Sequence, residues 1–191
     1  CFSVVGQPIY CPRNYDGEFH GLVQARFALG NSYNLPAVKV VAINGIENFI
    51  EFAKLMGITT FTDPSNYGLS ITLGGGEVTP YDMAIAFGVF ANQGIKQPLI
   101  SILKVEDWKG KVLEEVNTKE LEGDRVLTSD VTFLISHILH DNNARSAAFG
   151  ESSFLNVRGH PEVSVKTGTT NDRRDNWTIG YTEFIMVVSW V

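Results

Sequence analysis

Apolar residues in the first half of the chain recur at helical spacing. One apolar stripe predicts a helix over about 46–56 that ends at Gly57. Thr79, Pro80 and Asp82 have the order typical of a helix start: a capping hydroxyl, a proline in the first turn and an acid three residues after the cap. Other helices are predicted over 22–29, over 36–44 with Asn34 as its cap, and from about Thr128 along an apolar face of Val131, Leu134, Ile135 and Ile138.

Strand patterns dominate the second half of the chain. The segments 100–105 and 111–116 flank a glycine-containing turn at 107–110, which predicts a β-hairpin. Three more strands are predicted over 163–168, 177–181 and 184–191. Helices first and strands last indicate an α+β fold with a largely antiparallel sheet. Because the chain starts at a cysteine and stops inside a predicted strand, we expect it to be a piece of a longer protein.

Composition fits a folded domain and argues against nucleic-acid binding. Of the 191 residues 44% are hydrophobic and 19% are charged, which is enough apolar surface for a core. The 21 acids outnumber the 15 Lys and Arg, giving a net charge of −6 with no basic run. A phosphate backbone requires the opposite balance. The apolar stretch 184–191 is far short of the roughly 20 residues that span a bilayer.

Cysteine and histidine positions do not indicate a metal or cofactor. Cys1 and Cys11 lie ten residues apart without other ligands nearby, so we expect two incidental thiols, although a disulfide remains open. His137 and His140 have a helical spacing compatible with a metal but lack a partner carboxylate motif.

The most informative segment is the strand that runs into Lys166, Thr167, Gly168 and Thr169. An ammonium and two hydroxyls at a strand end form a plausible site for a carboxylate, and glycine lets a ligand lie against the backbone. The alternative is a strand that ends in a polar turn.

Ser32 and Asn34 form a second candidate site in the break between two helices. A hydroxyl there could relay a proton and an amide could hold a peptide group. The alternative is that both residues merely cap a helix, which is their commonest use.

Taken together, these motifs resemble the signature of serine enzymes that react with penicillin, in which a Ser-x-Asn-type motif precedes Lys-Thr-Gly. The surrounding segments sharpen the match, and the chain resembles the transpeptidase domain of bifunctional (class A) penicillin-binding proteins. The resemblance implies that residues 1–191 are the C-terminal portion of a single such domain, with its α+β fold. The segments that carry it are 14–21, 28–38, 73–80, 90–94, 166–172 and 177–182.

One departure from the family concerns the nucleophile. Its serine belongs to a Ser-x-x-Lys motif upstream of Ser-x-Asn, and no such motif precedes Ser32 here. The only match, Ser101 to Lys104, falls in a predicted strand, where residues three apart point to opposite faces. We therefore expect the isolated chain to be inactive.

The resemblance implies roles for the remaining residues. Ser32 would relay a proton to the leaving nitrogen, Asn34 would hold the substrate amide, and Lys166 would keep the local potential positive. Thr167 and Thr169 would bind the terminal carboxylate, and the backbone N–H of Thr169 would supply one oxyanion donor.

It also implies partners and a location. The substrates would be peptidoglycan stem peptides ending in D-Ala-D-Ala, the inhibitors β-lactams, and the parent protein would be anchored on the extracytoplasmic face of the membrane in a cell-wall synthesis complex. Two alternatives stay open: a related D,D-carboxypeptidase or β-lactamase, and a non-catalytic module that binds peptidoglycan or β-lactams.

Overall fold

The computed structural model describes residues 1–3, 7–118, 120–170 and 174–191. None of the helices within these ranges is long and apolar enough to cross a membrane. The α-helices are α1 (Ala25–Gly30), α2 (Asn34–Asn44), α3 (Ile46–Met56), α4 (Pro80–Ala91), α5 (Ser129–His140) and α6 (Asn142–Phe149), and 3-10 turns lie at Pro64–Asn66 and Leu69–Leu73.

Local signals explain where the helices begin and end. The Thr79 hydroxyl accepts the Asp82 N–H at 3.0 Å, and Gly57 closes α3 in the left-handed conformation, so both predictions are confirmed. The starts of α1 and α2 were predicted wrongly. Leu22 is fully exposed ahead of α1, and α2 begins at Asn34 because a proline fits anywhere in a first turn, whose N–H groups have no helical acceptor.

Helix α5 buries a face that only partly matches the predicted one. Of the predicted face, Val131 and Leu134 are exposed and Ile135 and Ile138 are half-buried, whereas Thr132 and Leu139 are buried. The contact with the sheet is partly polar: the Ser136 hydroxyl lies 3.0 Å from the Tyr181 hydroxyl, and the Ser136 carbonyl accepts the Ser164 hydroxyl at 3.0 Å. The apolar stripe therefore identified only part of the face that packs inward.

The strands pair antiparallel throughout, as the sequence predicts. The strands are β1 (Ile95–Lys96), β2 (Lys104–Glu106), β3 (Val112–Glu115), β4 (Asp124–Arg125), β5 (Ser164–Thr169), β6 (Asn176–Tyr181) and β7 (Met186–Trp190). The predicted hairpin forms from β2 and β3, with its turn held by Asp107, and β1 pairs with β4. The main sheet has the order β5-β6-β7, with Lys166 opposite Ile179 and Ile179 opposite Val188.

The main core lies between α3 and α4. Ile50 and Val89 are completely buried there, together with Ala53, Met56, Ile58, Phe61, Ile71 and Ala86. A smaller cluster of Val38, Val41 and Leu69 joins α2 to the N-terminal segment. These two clusters hold the helices on which the sheet rests.

Cys1 and Cys11 form a disulfide, so the expectation of two incidental thiols was wrong. Phe2 and Tyr10 exchange backbone hydrogen bonds of 2.8 and 3.0 Å, which brings the two flanking cysteines together. Phe2 and Tyr10 also pack on the α2 cluster. The disulfide therefore closes a loop against α2.

Candidate active site

A groove of about 690 Å³ runs between the main sheet, the start of α4 and the segment 72–80. The residues that line it include every site residue predicted from the sequence. They are Ser32, Asn34, Thr72, Leu73, Gly74, Gly76, Glu77, Val78, Thr79, Pro80, Met83, Phe87, Lys166, Thr167, Gly168, Thr169, Thr170, Asp175, Trp177, Ile179 and Trp190.

Ser32 and Lys166 are in direct contact in this groove, although 134 positions separate them in the sequence. Lys166 Nζ donates to Ser32 Oγ at 2.7 Å and to the Thr167 carbonyl at 2.6 Å. Burial lowers the pKa of Lys166 from 10.5 to about 8. The ammonium thus stays charged at neutral pH while lying closer to its titration point than an exposed lysine.

The turn that carries Ser32 is unusual in its backbone. Ser32 has a φ of 58°, a left-handed conformation that costs a serine about 1 kcal/mol. The cap of α2 is Tyr33, without a side-chain capping bond, and Asn34 is the first helical residue. The interpretation of Ser32 and Asn34 as simple caps is therefore wrong, and the turn directs the Ser32 hydroxyl toward Lys166.

The N-terminal segment contacts this turn through hydrogen bonds and a stacked ring pair. Asn34 Nδ2 donates to the Arg13 carbonyl at 2.7 Å, and the Leu35 N–H donates to the buried Asn14 Oδ1 at 3.1 Å. The Tyr33 ring stacks on His20 with 4.1 Å between centroids. Since Arg13 engages the Asn34 amide nitrogen, the amide oxygen is the Asn34 atom left to accept from a ligand.

Thr167, Gly168 and Thr169 lie within β5 rather than beyond it, which contradicts the alternative of a polar turn. A Cβ built on Gly168 would point at Trp177, 3.5 Å from its Cβ. Gly168 and Trp177 are cross-strand partners that both line the groove, so a side chain at position 168 would take up space beside the Trp177 ring. Thr169 is exposed and Thr167 half-buried, so ligands can reach both hydroxyls.

Asp175 organises the far end of the groove. Its carboxylate accepts the Thr170 hydroxyl at 2.9 Å and the Trp190 indole N–H at 3.0 Å. This role cannot be predicted from the sequence, because it depends on β7 pairing with β6 in the folded sheet. The predicted motif residues Asn171 and Asp172, like Arg173, lie outside the described residues.

The opposite wall is the glycine-rich segment after the second 3-10 turn. A Cβ on Gly74 would approach the Thr170 methyl to 3.0 Å, so glycine allows this wall to close on the end of β5. Among the described lining residues, Lys166 is the one cation, and Glu77 and Asp175 are the acids. The positive charge is therefore concentrated beside Ser32.

His137 and His140 lie away from this groove. Arg26 donates to His137 Nδ1 at 2.8 Å and to the Asp141 carboxylate at 2.7 Å. Within the described ranges no three His, Cys, Asp or Glu side chains are placed to hold a metal ion.

Known proteins share this sequence and fold. No protein-family model matches the chain. Penicillin-binding protein 4 of Bacillus subtilis is 32% identical over 95% of the chain and 28% of its own length. Penicillin-binding protein 1A of Aquifex aeolicus is 33% identical over 95% of the chain and 23% of its own length. The chain thus spans about a quarter of the curated relatives it matches.

The structure of the penicillin-binding protein PonA1 from Mycobacterium tuberculosis superposes with a TM-score of 0.79, at 25% identity over 99% of this chain and 52% of that one. This chain is homologous to a segment of penicillin-binding proteins. PonA1 in complex with penicillin V gives a TM-score of 0.73 at 25% identity over 93% and 50% of the two chains. The resemblance and the α+β fold inferred from the sequence of this penicillin-binding protein homologue are both confirmed.

Proposed function

We propose that this chain forms part of a D,D-transpeptidase that cross-links peptidoglycan stem peptides through an acyl-serine intermediate. The observation that carries the proposal is the 2.7 Å contact between Lys166 Nζ and Ser32 Oγ, in a groove that also contains Asn34, Thr167 and Thr169. Lys166 supplies a cation, Ser32 a polarised hydroxyl and Asn34 an amide, beside the edge strand β5. Acyl transfer to and from a serine requires groups of these kinds. Residues 1–191 would be the C-terminal portion of that single domain.

In this mechanism a serine from a Ser-x-x-Lys motif outside these 191 residues attacks the carbonyl between the terminal D-alanines. The attacking hydroxyl gives up its proton, Ser32 relays a proton to the leaving nitrogen, and the C–N bond breaks so that D-alanine departs as an amine. The amine of a neighbouring peptidoglycan strand then attacks the acyl-serine ester, forms the new amide bond and gives up a proton, which restores the serine hydroxyl. The charge on Lys166 favours the anionic tetrahedral intermediate and polarises Ser32.

The residues of β5 hold the substrate. The hydroxyls of Thr167 and Thr169 bind its terminal carboxylate close to the positive potential of Lys166. Gly168 leaves room for the peptide backbone, and the oxygen of the Asn34 amide accepts an N–H of the stem peptide. The backbone N–H of Thr169 is one oxyanion donor, and the attacking serine supplies the other. One such donor is worth about 3 kcal/mol in comparable sites.

β-Lactams would acylate the same serine. The complex of PonA1 with penicillin V supports β-lactam binding by a protein with this fold. The parent protein would act with other cell-wall enzymes at the extracytoplasmic face of the membrane. The disulfide supports such an oxidising location.

Labelling with a fluorescent penicillin, read on a denaturing gel, tests this proposal in the full-length protein that contains the chain. We expect a covalent band that weakens at least about a hundredfold in Lys166→Ala and Ser32→Ala, since each removes a group used in proton transfer. Lys104→Ala is the matched control, because Lys104 pairs with Glu106 on the exposed hairpin, and it should label normally. The isolated 191-residue chain should give no band.

A full-length protein without any band would contradict the proposal and favour a non-catalytic binding module. Product analysis separates the remaining alternatives. With a D-Ala-D-Ala donor and an amine acceptor, a transpeptidase forms the cross-linked product, whereas a carboxypeptidase releases only the shortened peptide. Hydrolysis of penicillin with turnover would identify a β-lactamase.

A further inference from the structure

Helix α6 is hydrogen-bonded both to the residue before Ser32 and to the residue before Lys166. On one side it binds Asn31, the residue immediately before Ser32. Asn31 Nδ2 donates to the Ala144 carbonyl at 2.8 Å, and Asn31 Oδ1 accepts the Ala148 N–H at 2.8 Å. The side chain is buried and also donates to the Phe27 carbonyl at 2.9 Å. Asn31 therefore ties the Ser32 turn to two successive turns of α6.

Close backbone packing reinforces this contact. A Cβ on Gly30 would lie 2.9 Å from the Ala144 carbonyl oxygen, so only glycine allows α1 to approach α6 this closely. At the other end of α1, Arg26 pairs with Asp141 at 2.7 Å, and Asp141 caps the start of α6. Helix α1 is thus fastened to α6 at both of its ends.

On its other side α6 reaches the strand of Lys166. Arg145 is only 4% exposed, and its guanidinium donates to the Val165 carbonyl at 3.3 Å. Val165 precedes Lys166 directly. A buried arginine is costly unless its position serves a purpose, and this one has a single described acceptor.

We infer that α6 is a brace that fixes the separation between Ser32 Oγ and Lys166 Nζ, with Asn31 and Arg145 as positioning residues. The inference deepens the proposed function, on which its catalytic consequence rests. Neither residue lines the groove, so each acts through its neighbour in the sequence. The path from Ser32 to Lys166 through α6 consists of two hydrogen bonds of 2.8 Å at Asn31 and one of 3.3 Å at Arg145, all buried or partly buried. Displacement of either end would lengthen the contact between Ser32 and Lys166.

Loosening the brace has two expected effects. Water reaches Lys166, so the burial that lowers its pKa is relieved and the pKa rises toward 10.5. The Ser32 hydroxyl also leaves its position for proton transfer, and a misplacement of about 1 Å costs on the order of a hundredfold in rate. Glu77 and Asp175, the other ionisable side chains described along the groove, are not bonded to α6.

The primary experiment follows the Lys166 side chain by NMR titration of the full-length protein carrying ¹³C-labelled lysine, with the signal assigned from Lys166→Arg. It needs no turnover. We expect the midpoint of the wild type near 8 and a rise of about one unit or more in Asn31→Ala and in Arg145→Met. In Arg145→Lys, which keeps a long cationic donor, the Lys166 midpoint should lie close to the wild-type value.

Arg125→Met is the matched control, because Arg125 also donates to backbone carbonyls, those of Gln93 and Leu127, but lies away from the groove. It should leave the Lys166 midpoint unchanged. Both positioning residues act on the contact between Ser32 and Lys166. The Lys166 midpoint in the double variant should therefore shift by less than the sum of the shifts in the two single variants. Unchanged midpoints in Asn31→Ala and Arg145→Met, with the protein folded, would overturn the brace.

Penicillin labelling of the same variants separates this inference from the proposed function. A wild type that does not label contradicts the proposed function, while the NMR titration still decides about the brace. A wild type that labels, with variants about a hundredfold slower and a basic limb of the pH profile moved upward, supports both. Normal labelling rates in both variants would contradict a positioning role in the reaction.

Discussion

The core between α3 and α4 and the groove beside β5 are held together in opposite ways. The core is dry and apolar, with Ile50 and Val89 completely buried, and it joins helices that are near one another in the sequence. The groove depends on polar contacts over long separations, such as 134 positions between Ser32 and Lys166 and 113 between Asn31 and Ala144. Stability and chemistry are thus assigned to different kinds of interaction.

This difference implies that the two regions respond to different perturbations. The stabilisation from apolar packing is proportional to the buried surface and does not depend on pH. A buried ammonium and its hydrogen bonds depend on protonation and on exact distances. Changes in the core should therefore alter stability to a similar extent at every pH without altering the Lys166 contact. Changes around the groove should alter that contact and the pH dependence of stability.

The largest effect is expected in the core. Ile50→Ala removes a completely buried side chain and should lower the free energy of unfolding by about 4 kcal/mol. Urea unfolding measures this. Ile43→Ala is the control, because Ile43 is 74% exposed on α2, and it should cost less than about 0.5 kcal/mol. Equal losses in the two variants would show that the core is wrongly located.

The second prediction concerns pH and Lys166. Its folded-state pKa of about 8 lies below the ordinary 10.5, so between these values the unfolded chain binds more protons and folding stability rises with pH. Comparison with Lys166→Met cancels the contributions of the other titrating groups. Relative to that variant, the free energy of unfolding of the wild type should rise by up to about 3 kcal/mol between neutral pH and roughly pH 10. Unfolding curves at the two pH values measure the gain, and a constant difference would mean that Lys166 is solvated.

The disulfide offers a third comparison. Replacing Cys1 and Cys11 by serine removes a disulfide that joins positions ten residues apart. The free energy of unfolding should fall by about 2–3 kcal/mol. Hydrogen exchange should accelerate at the Leu35 amide, which is bound to Asn14, before it does at Ile50. A reductant should reproduce the change in the wild type and do nothing further to the double variant. Faster exchange at Ile50 first would contradict the separation of the two regions.

The smallest effect is expected at a helix cap. Thr79→Ala loses the capping bond to Asp82 and should destabilise the protein by about 1 kcal/mol. Thr128→Ala, at a cap without such a bond, should cost less than about half of that. Thermal unfolding of the two variants compares them directly, and a reversed order would contradict the geometry of the caps.

Much of the fold could be predicted from local signals. Gly57 and the order of Thr79, Pro80 and Asp82 set boundaries that need only neighbouring residues. The face of α5 could be predicted only in part, because some of its contacts with the sheet are polar, such as that between the Ser136 and Tyr181 hydroxyls. The disulfide depends on the pairing of Phe2 with Tyr10, which no periodicity reveals.

The candidate site was predictable only in part. Ser32, Asn34 and Lys166 carry motif residues and line one groove, although their roles stay a proposal. Asn31, Arg145 and Asp175 were missed because each binds backbone or side-chain atoms of a distant segment. For Asn31 and Arg145 the signal is a buried polar side chain, which becomes visible only when the fold is known.

The left-handed backbone of Ser32 has a consequence for evolution in the laboratory. Glycine adopts this conformation without penalty, so a glycine at position 32 would relax the turn while deleting the hydroxyl. Selection for heat resistance alone would then favour loss of the hydroxyl that Lys166 contacts, so a thermostabilisation campaign should also screen for the penicillin labelling that the proposed function predicts.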